Sequence, residues 1–383
     1  MASSPIDNVI VQAFGVPGVE GQRADFNFAN FTSFELSNSI TEPAEASFEM
    51  GDETGWQRLA EFIGLGAQFM VFVNDRIRLT GRVHQLNSPL DASQGATQRF
   101  VIRGAMADAQ YSSAPQTLRL RNASIREFIL ALYDDLGLTE FDFDFRGDVS
   151  RNLMTGKNTR NQKPPIALDD LTIEQAKTTP PESIYTAADR HLRRHGMLHW
   201  DGPDGKIVVA APDDQQAPLT QLRSFRGRDA QINNLISVQR SQDVSGAPTV
   251  LGMFGVGGKV GFSRAKVSSV IINEELVRRG FNRKALILDE GIRTTSIADR
   301  RARREFALRN RGLDRFEVTL DGLSYRDGSE TIPWSPDTTT DVVIEDMGGF
   351  LGSYYIEAVR LSRSAASGDV ASLSIVRQNV WTL

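Results

Sequence analysis

The chain has 383 residues, 40% hydrophobic and 24% charged, enough for two or three domains around a substantial core. A net charge of −5 disfavours nucleic-acid binding as the main role, because such domains carry a basic surplus. With no cysteine there is no disulfide, thiolate metal site or cysteine nucleophile; no apolar run approaches the ~20 residues of a membrane helix, and Met1 to Gly15 shows no secretory pattern, so a protein without a membrane segment, made and folded in a cytoplasm, is expected.

Asn8 to Phe14 and Phe34 to Leu36 predict opening strands. Ser37 to Met50 reads as a turn and then a strand, because Ala44, Ala46 and Phe48 alternate. Trp56 to Ile63 predicts a helical turn. The apolar run Phe69 to Val73 meets Asn74-Asp75, a turn-forming pair. Beyond it Ile77, Leu79, Gly81 and Val83 alternate with Arg76, Arg78, Thr80 and Arg82, which predicts a strand with one buried face and one basic, wet face. A polar loop and a strand over Gln98 to Gly104 complete a β-module ending near Ser112. A small barrel or sandwich would remove its exposed edges.

The period then changes. Ser124-Ile125-Arg126-Glu127 is a capping-box pattern, with Ile125, Phe128, Ile129, Leu132 and Leu136 on one helical stripe and Gly137 as the stop. Phe141 to Phe145 alternates and predicts a strand. Gly147 to Thr179 is polar and predicts a long surface excursion with one helical turn at Leu171 to Ala176. A second helix is expected from Pro180-Pro181-Glu182 to His195, with Gly196 past its end. Leu198 to Trp200 and Lys206 to Ala210 predict a hairpin, and Ala211 to Leu219 a linker.

A second β-module follows, with strands expected around Leu222 to Gln239 and Pro248 to Phe254 and an insertion at about 255–293. The insertion holds a Gly-rich loop and strands at Val267 to Ile272 and Ala285 to Leu288. Ser296 to Arg311 predicts a helix, boxed by Ser296 and Asp299 and ended by Gly312, and Arg315 to Leu320 alternates again. Asp341 to Ile344, the turn Met347-Gly348-Gly349, Ser353 to Arg363, the loop Ser364 to Asp369 and Ala371 to Arg377 then repeat the order of the Phe69 to Gly104 elements. The apolar parity shifts between Ala358 and Val359, which predicts a bulge. The expected fold class is mixed and β-dominated (α+β): two related small β-barrel modules, 1–113 and 217–383, with an α/β middle domain, 114–216.

Candidates for chemistry are few. His191, His195 and His199 are spaced by four, but Gly196 breaks the helix between them and Arg193 and Arg194 would repel a cation, so packed or solvent-facing histidines are expected. Asp142 and Asp144 could ligate a hard cation, yet no partner set is near, and a strand's wet face is the better reading. Gly252 to Gly261 misses the phosphate-loop pattern, with Met253 where a glycine belongs and Val260 after Lys259; a flexible loop is expected. Arg300, Arg301, Arg303, Arg304, Arg309 and Arg311 could contact phosphates, but a helix packed through Ala298, Ala302 and Phe306 and salt-bridged by Asp299 and Glu305, or one facing an acidic partner, fits better. The pairs Asp134-Asp135, Asp169-Asp170 and Asp213-Asp214 are adjacent rather than opposed, and no serine sits in a nucleophile elbow. The expectation is a non-enzyme with no catalytic, cofactor-binding or metal site; partner-binding residues are not assigned.

Several segments in order resemble the baseplate hub proteins of contractile-tailed phages, most closely the Mu-like tail hub: Ser39 to Met50, Phe69 to Val83, Arg121 to Leu138, Glu182 to Ala210 and Thr294 to Gly328. No single motif is diagnostic; order and spacing across nearly the whole chain carry the resemblance, and Gly147 to Thr179 departs from it. It implies a homotrimer whose six like barrels match a sixfold tail tube on one side and a threefold central spike on the other. Other baseplate proteins are implied partners, with the tape measure protein a further candidate. Genome DNA would pass through the lumen without specific binding. The implied place is the virion tail baseplate, assembled in the host cytoplasm. The competing readings are a tail-carried cell-wall hydrolase, for which only His191 and His195 are available, and a nucleic-acid-binding module using the Arg-rich helix.

Overall fold

A computed structural model describes residues 7–17, 23–51, 63–88, 90–91, 95–146, 171–226, 233–260, 263–378 and 380–381. All of the expected turn at Trp56 to Ile63 except Ile63 itself, most of the polar excursion and the pair Asp169-Asp170 lie outside these residues. The first β-module holds β1 (Val9–Pro17), β2 (Arg23–Phe28), β3 (Ser33–Ser39), β4 (Glu45–Gly51), β5 (Gln68–Val73), β6 (Arg76–Asn87), β7 (Leu90–Asp91) and β8 (Gly95–Arg103). The middle region holds α1 (Ala105–Tyr111), β9 (Arg119–Ser124), α2 (Ile125–Tyr133), β10 (Phe143–Phe145), β11 (Thr172–Lys177), α3 (Ile184–Arg194), β12 (Leu198–Asp201) and β13 (Ile207–Ala210). Then come β14 (Thr220–Ser224), β15 (Leu235–Ser241), β16 (Val250–Val260), β17 (Ser263–Ile272), α4 (Glu274–Arg278), β18 (Lys284–Leu288) and α5 (Thr295–Asn310). The chain closes with β19 (Arg315–Asp321), β20 (Ser324–Asp327), β21 (Glu330–Pro333), β22 (Thr338–Ile344), β23 (Gly349–Ser364) and β24 (Gly368–Arg377). The fold is β-dominated α+β, as the sequence predicts.

The repeat is visible as topology. β5–β6–β8 and β22–β23–β24 are antiparallel meanders in the same order. They are not separate sheets: one sheet runs β15-β19-β24-β23-β3-β4-β8-β6-β5-β1-β2, with β14 joined to β22. β23 makes the connection. Its first half pairs with β22, its second half (Ala358 to Ser364) pairs with β3, and its other edge pairs with β24 from Tyr354 to Ser364. The ladder slips at Glu357, one residue before the expected bulge. One apolar core accordingly contains Phe34, Phe48, Phe69 and Phe100 of the first module together with Phe316, Tyr354 and Leu373 of the second. Phe48 and Phe100 stack at 4.8 Å. In the second module the gap between β14 and β15 is bridged by Asn234, whose side chain accepts from Arg223 N at 2.8 Å and donates to Gln221 O at 2.9 Å, copying a strand's hydrogen bonds.

Several local expectations are corrected. β6 is not uniformly basic on one face: the β5–β6 ladder skips Arg78, and the bulge turns that side chain inward to 7% exposure, where it donates to Trp334 O at 2.9 Å. Only Phe143 to Phe145 form a strand; Asp142 caps Thr139, which winds residues 140–142 into a 3-10 turn and leaves Phe141 exposed. Leu171 to Ala176 is not a helical turn but mostly β11, because β9 offers it a partner. The cap of α5 is Thr294, whose side chain accepts from Ile297 N, and not Ser296. The Gly-rich stretch is no loop: Gly252 to Val260 lie in β16, paired with β17 and β18. Ala211 to Leu219 is docked, with Asp214 buried and accepting from Trp381 N at 2.7 Å. Among the described residues no helix is long and apolar enough to cross a membrane.

Gly81 sets the spacing of β6 and β8, since a Cβ there would stand 2.1 Å from the carbonyl oxygen of Arg103. Gly81→Ala must push the two strands apart, and we expect it to lower unfolding stability by about 3 kcal/mol, the upper end for overpacked sites. Urea denaturation would measure this; an unchanged midpoint would show that the ladder does not run this close.

Candidate assembly surfaces

The chemical candidates among the described residues are buried, paired or held apart. The three histidines are buried and do not converge: His191 lies on Phe128 at 4.5 Å, and His199 lies on Tyr185 at 4.7 Å, with neither ring nitrogen hydrogen-bonded among the described residues. Burial pushes all three down to about 3, so each stays neutral in the fold. Among the described residues no three His, Cys, Asp or Glu side chains gather as a metal site. Asp142 is spent on the Thr139 cap and Asp144 on Arg146 at 2.7 Å. Asp134 and Asp135 are exposed, while Asp213 and Asp214 bind different partners.

Nor does α5 offer a phosphate-binding face. Ala298 and Ala302 pack on the β16–β17 sheet. Arg300 and Arg304 are buried, and the Arg304 guanidinium, 3% exposed, lies 4.1 Å from the Trp381 ring. Burial lowers Arg304 to about 9. Arg303 pairs with Asp299 at 2.9 Å and Arg309 with Glu305 at 2.8 Å. The packed, salt-bridged reading of this helix holds.

What the sequence did not mark is a set of seams between regions. Asp201 is buried, and its carboxylate accepts from Ala44 N at 2.9 Å and Met106 N at 3.0 Å, tying the β12–β13 hairpin to the first module. Burial raises it to about 6 despite those two hydrogen bonds. Asp7 accepts from Asn74 Nδ2 and Leu323 N, and Asn74 also reaches Ser324 Oγ at 2.8 Å, so the β5–β6 turn is fixed to the β20–β21 hairpin. Arg194 grips Asp289 through two bonds of 2.9 and 2.7 Å, fixing α3 to the chain after β18. These residues make the regions one body. No spacing rule marks them.

The exposed surface carries its own signal. β16, β17 and β18 form a three-stranded sheet whose inner face (Met253, Ile271, Ile287) packs towards α5. Its outer face presents Phe254, Val270, Ile272, Leu286 and Leu288 to solvent.

No protein-family model and no curated protein matches the sequence. Solved structures do. A tail protein from Neisseria meningitidis MC58 is similar over 99% of this chain and 98% of its own, at a TM-score of 0.74 and 14% identity. The 43 kDa tail protein of prophage MuSo2 from Shewanella oneidensis gives 0.69 at 15% identity, covering 98% of this chain and 99% of its own. An E. coli component of the type VI secretion system gives 0.53 at 10% identity, covering 91% and 73%. The chain has the fold of phage tail proteins, that of a Mu-type prophage among them.

Two outcomes follow from the buried groups. Asp201→Ala leaves two buried N–H groups without an acceptor, and urea unfolding at pH 7 should show a loss of about 2–4 kcal/mol. The histidines give a pH dependence. Their folded values are depressed, so their stabilisation is complete above about pH 6.5 and lost as pH falls towards 3; Asp201, raised to about 6, acts in the opposite sense and loses its contribution as pH rises. His199→Phe should therefore gain about 2 kcal/mol on the parent between pH 8 and pH 5. Parallel unfolding curves at the two pH values would show His199 to be protonated in the fold.

Proposed function

We propose that this chain is a structural subunit of a phage tail baseplate, a hub rather than an enzyme. One observation carries the reading: a single chain holds the same β-meander twice, β5–β6–β8 and β22–β23–β24, joined side by side in one sheet. Within the fold of phage tail proteins, that duplication has a use. Three chains would place six like modules in a ring, sixfold enough to meet a tail tube and threefold enough to seat a central spike. Residues 1–113 and 217–383 would form the ring, and 114–216 would brace it. Other baseplate proteins, and the tape measure protein, would be neighbours in the virion tail.

Electrostatics agree with a conduit. The chain is acidic overall, and the arginines of its most basic helix are buried or paired, so DNA passing a lumen would meet no strong phosphate-binding face there. The hydrolase reading finds no support at His191 and His195, both buried and held neutral.

Native mass spectrometry of the purified chain, alone and with its cognate spike, tests this. The expected mass is three times 42.3 kDa, free or in a three-plus-three complex. A single-chain mass under both conditions would sink the symmetry argument.

A further inference from the structure

We propose that the outer face of the β16–β18 sheet packs against a neighbouring copy of this chain; the inference rests on the threefold reading above and gives that assembly a contact surface. Paired residues across the three strands form a grid. Its rows are Lys284–Val250–Ile272, Leu286–Gly252–Val270 and Leu288–Phe254–Ser268. The only charge in the grid is Lys284, at a corner. Leu286 and Leu288 are 71% and 69% exposed. Gly252 sits at the centre, and a Cβ there would meet Leu286 and Phe254 at 2.9 Å, so these two side chains close over the glycine and leave no dent for water.

Three physical arguments make the occupant a second copy. First, β18, on the parallel edge of this mixed sheet, is apolar on both parities, the pattern of a strand covered on two faces; among the described residues α5 covers only one. Second, the five exposed side chains present on the order of 500 Å² of apolar surface, the size of the largest patch on a typical monomer, which is often a functional one. Ile272 also lines the adjoining groove of about 540 Å³, whose wall continues through Val244, Leu276, Leu313 and Val380. Face and groove together approach the ~800 Å² each partner contributes to a stable interface. Third, an apolar centre bordered on its groove side by Arg240, Arg279, Glu274 and Glu275 follows the pattern of apolar core and polar rim seen in protein interfaces. Such a surface needs its cover from synthesis onwards, and a second copy is the partner present at equal concentration.

The chain has no cysteine, so one introduced thiol reports one place. Leu288→Cys puts it on the face, and Ala366→Cys puts it on the exposed β23–β24 turn. Maleimide labelling is followed together with native mass. The inference expects a three-chain mass, labelling at 288 slower than at 366 by about tenfold or more, since a buried thiol reacts only on opening. It also expects Leu286→Glu to release single chains with unchanged circular dichroism. Equal labelling rates within a three-chain species overturn the face and leave the threefold reading standing. A two-chain mass with a protected thiol keeps the face and overturns the threefold reading. Single chains with both thiols reactive, with and without the spike, overturn both.

Discussion

The pairing of β23 with β3 is the constraint on which the architecture depends. Without it the two modules would be held by side-chain seams such as Asp7–Leu323, Asn74–Ser324 and Arg78–Trp334 rather than by a continuous ladder. With it, a 16-residue strand serves the second module along one half and the first module along the other. The slip at Glu357 lies where the strand changes partner, and the peptide oxygen of Glu357 accepts from Ile40 N at 3.1 Å just beyond the end of β3. A bulge bends a strand and re-aims its side chains. Here it lets one strand follow two curvatures.

Charges are buried beside this slip. The Glu357 carboxyl is buried and pushed up by desolvation, with the charges of Arg311, Arg315 and Arg304 pulling against that rise. Among the described residues Arg304 finds no hydrogen-bond partner, and it rests on Trp381. The last described residues thus reach back across α5 and into the middle region, where Asp214 holds the Trp381 backbone. Isolated ions in such a place would cost several kcal/mol each. Mutual fields and the indole face reduce that cost, and the arrangement admits few alternative packings.

Much of this was legible in the sequence, for physical reasons that can be named. Both meanders show because period-two alternation and Asn74-Asp75 or Gly348-Gly349 turns are local signals. The box at Ser124 shows because it is a four-residue matter, and it is formed as expected. β9 and β11 were hidden because β9 leaves Arg119, Arg121 and Asn122 exposed and has no apolar alternation; it is a strand only because β11 pairs with it. Asp201 was hidden because nothing in Trp200-Asp201-Gly202 separates a turn aspartate from a buried carboxylate. The outer face of the insertion sheet did leave a trace. In Lys284 to Leu288 both parities are apolar, the mark of a strand covered on two sides.

The union of β3 with β23 has a consequence for how the protein comes into being. The partners are more than 300 positions apart along the chain, as are Asp7 and Leu323, separated by 316. Contacts of such separation form late, after long loops have been closed. While the ribosome is still making the second half, β3 has β4 on one edge and nothing on the other. An open edge of this kind invites pairing with the wrong chain. The first module therefore waits, incompletely sealed, until β23 has been made more than 300 residues later, and its solubility during that interval depends on how fast that strand arrives.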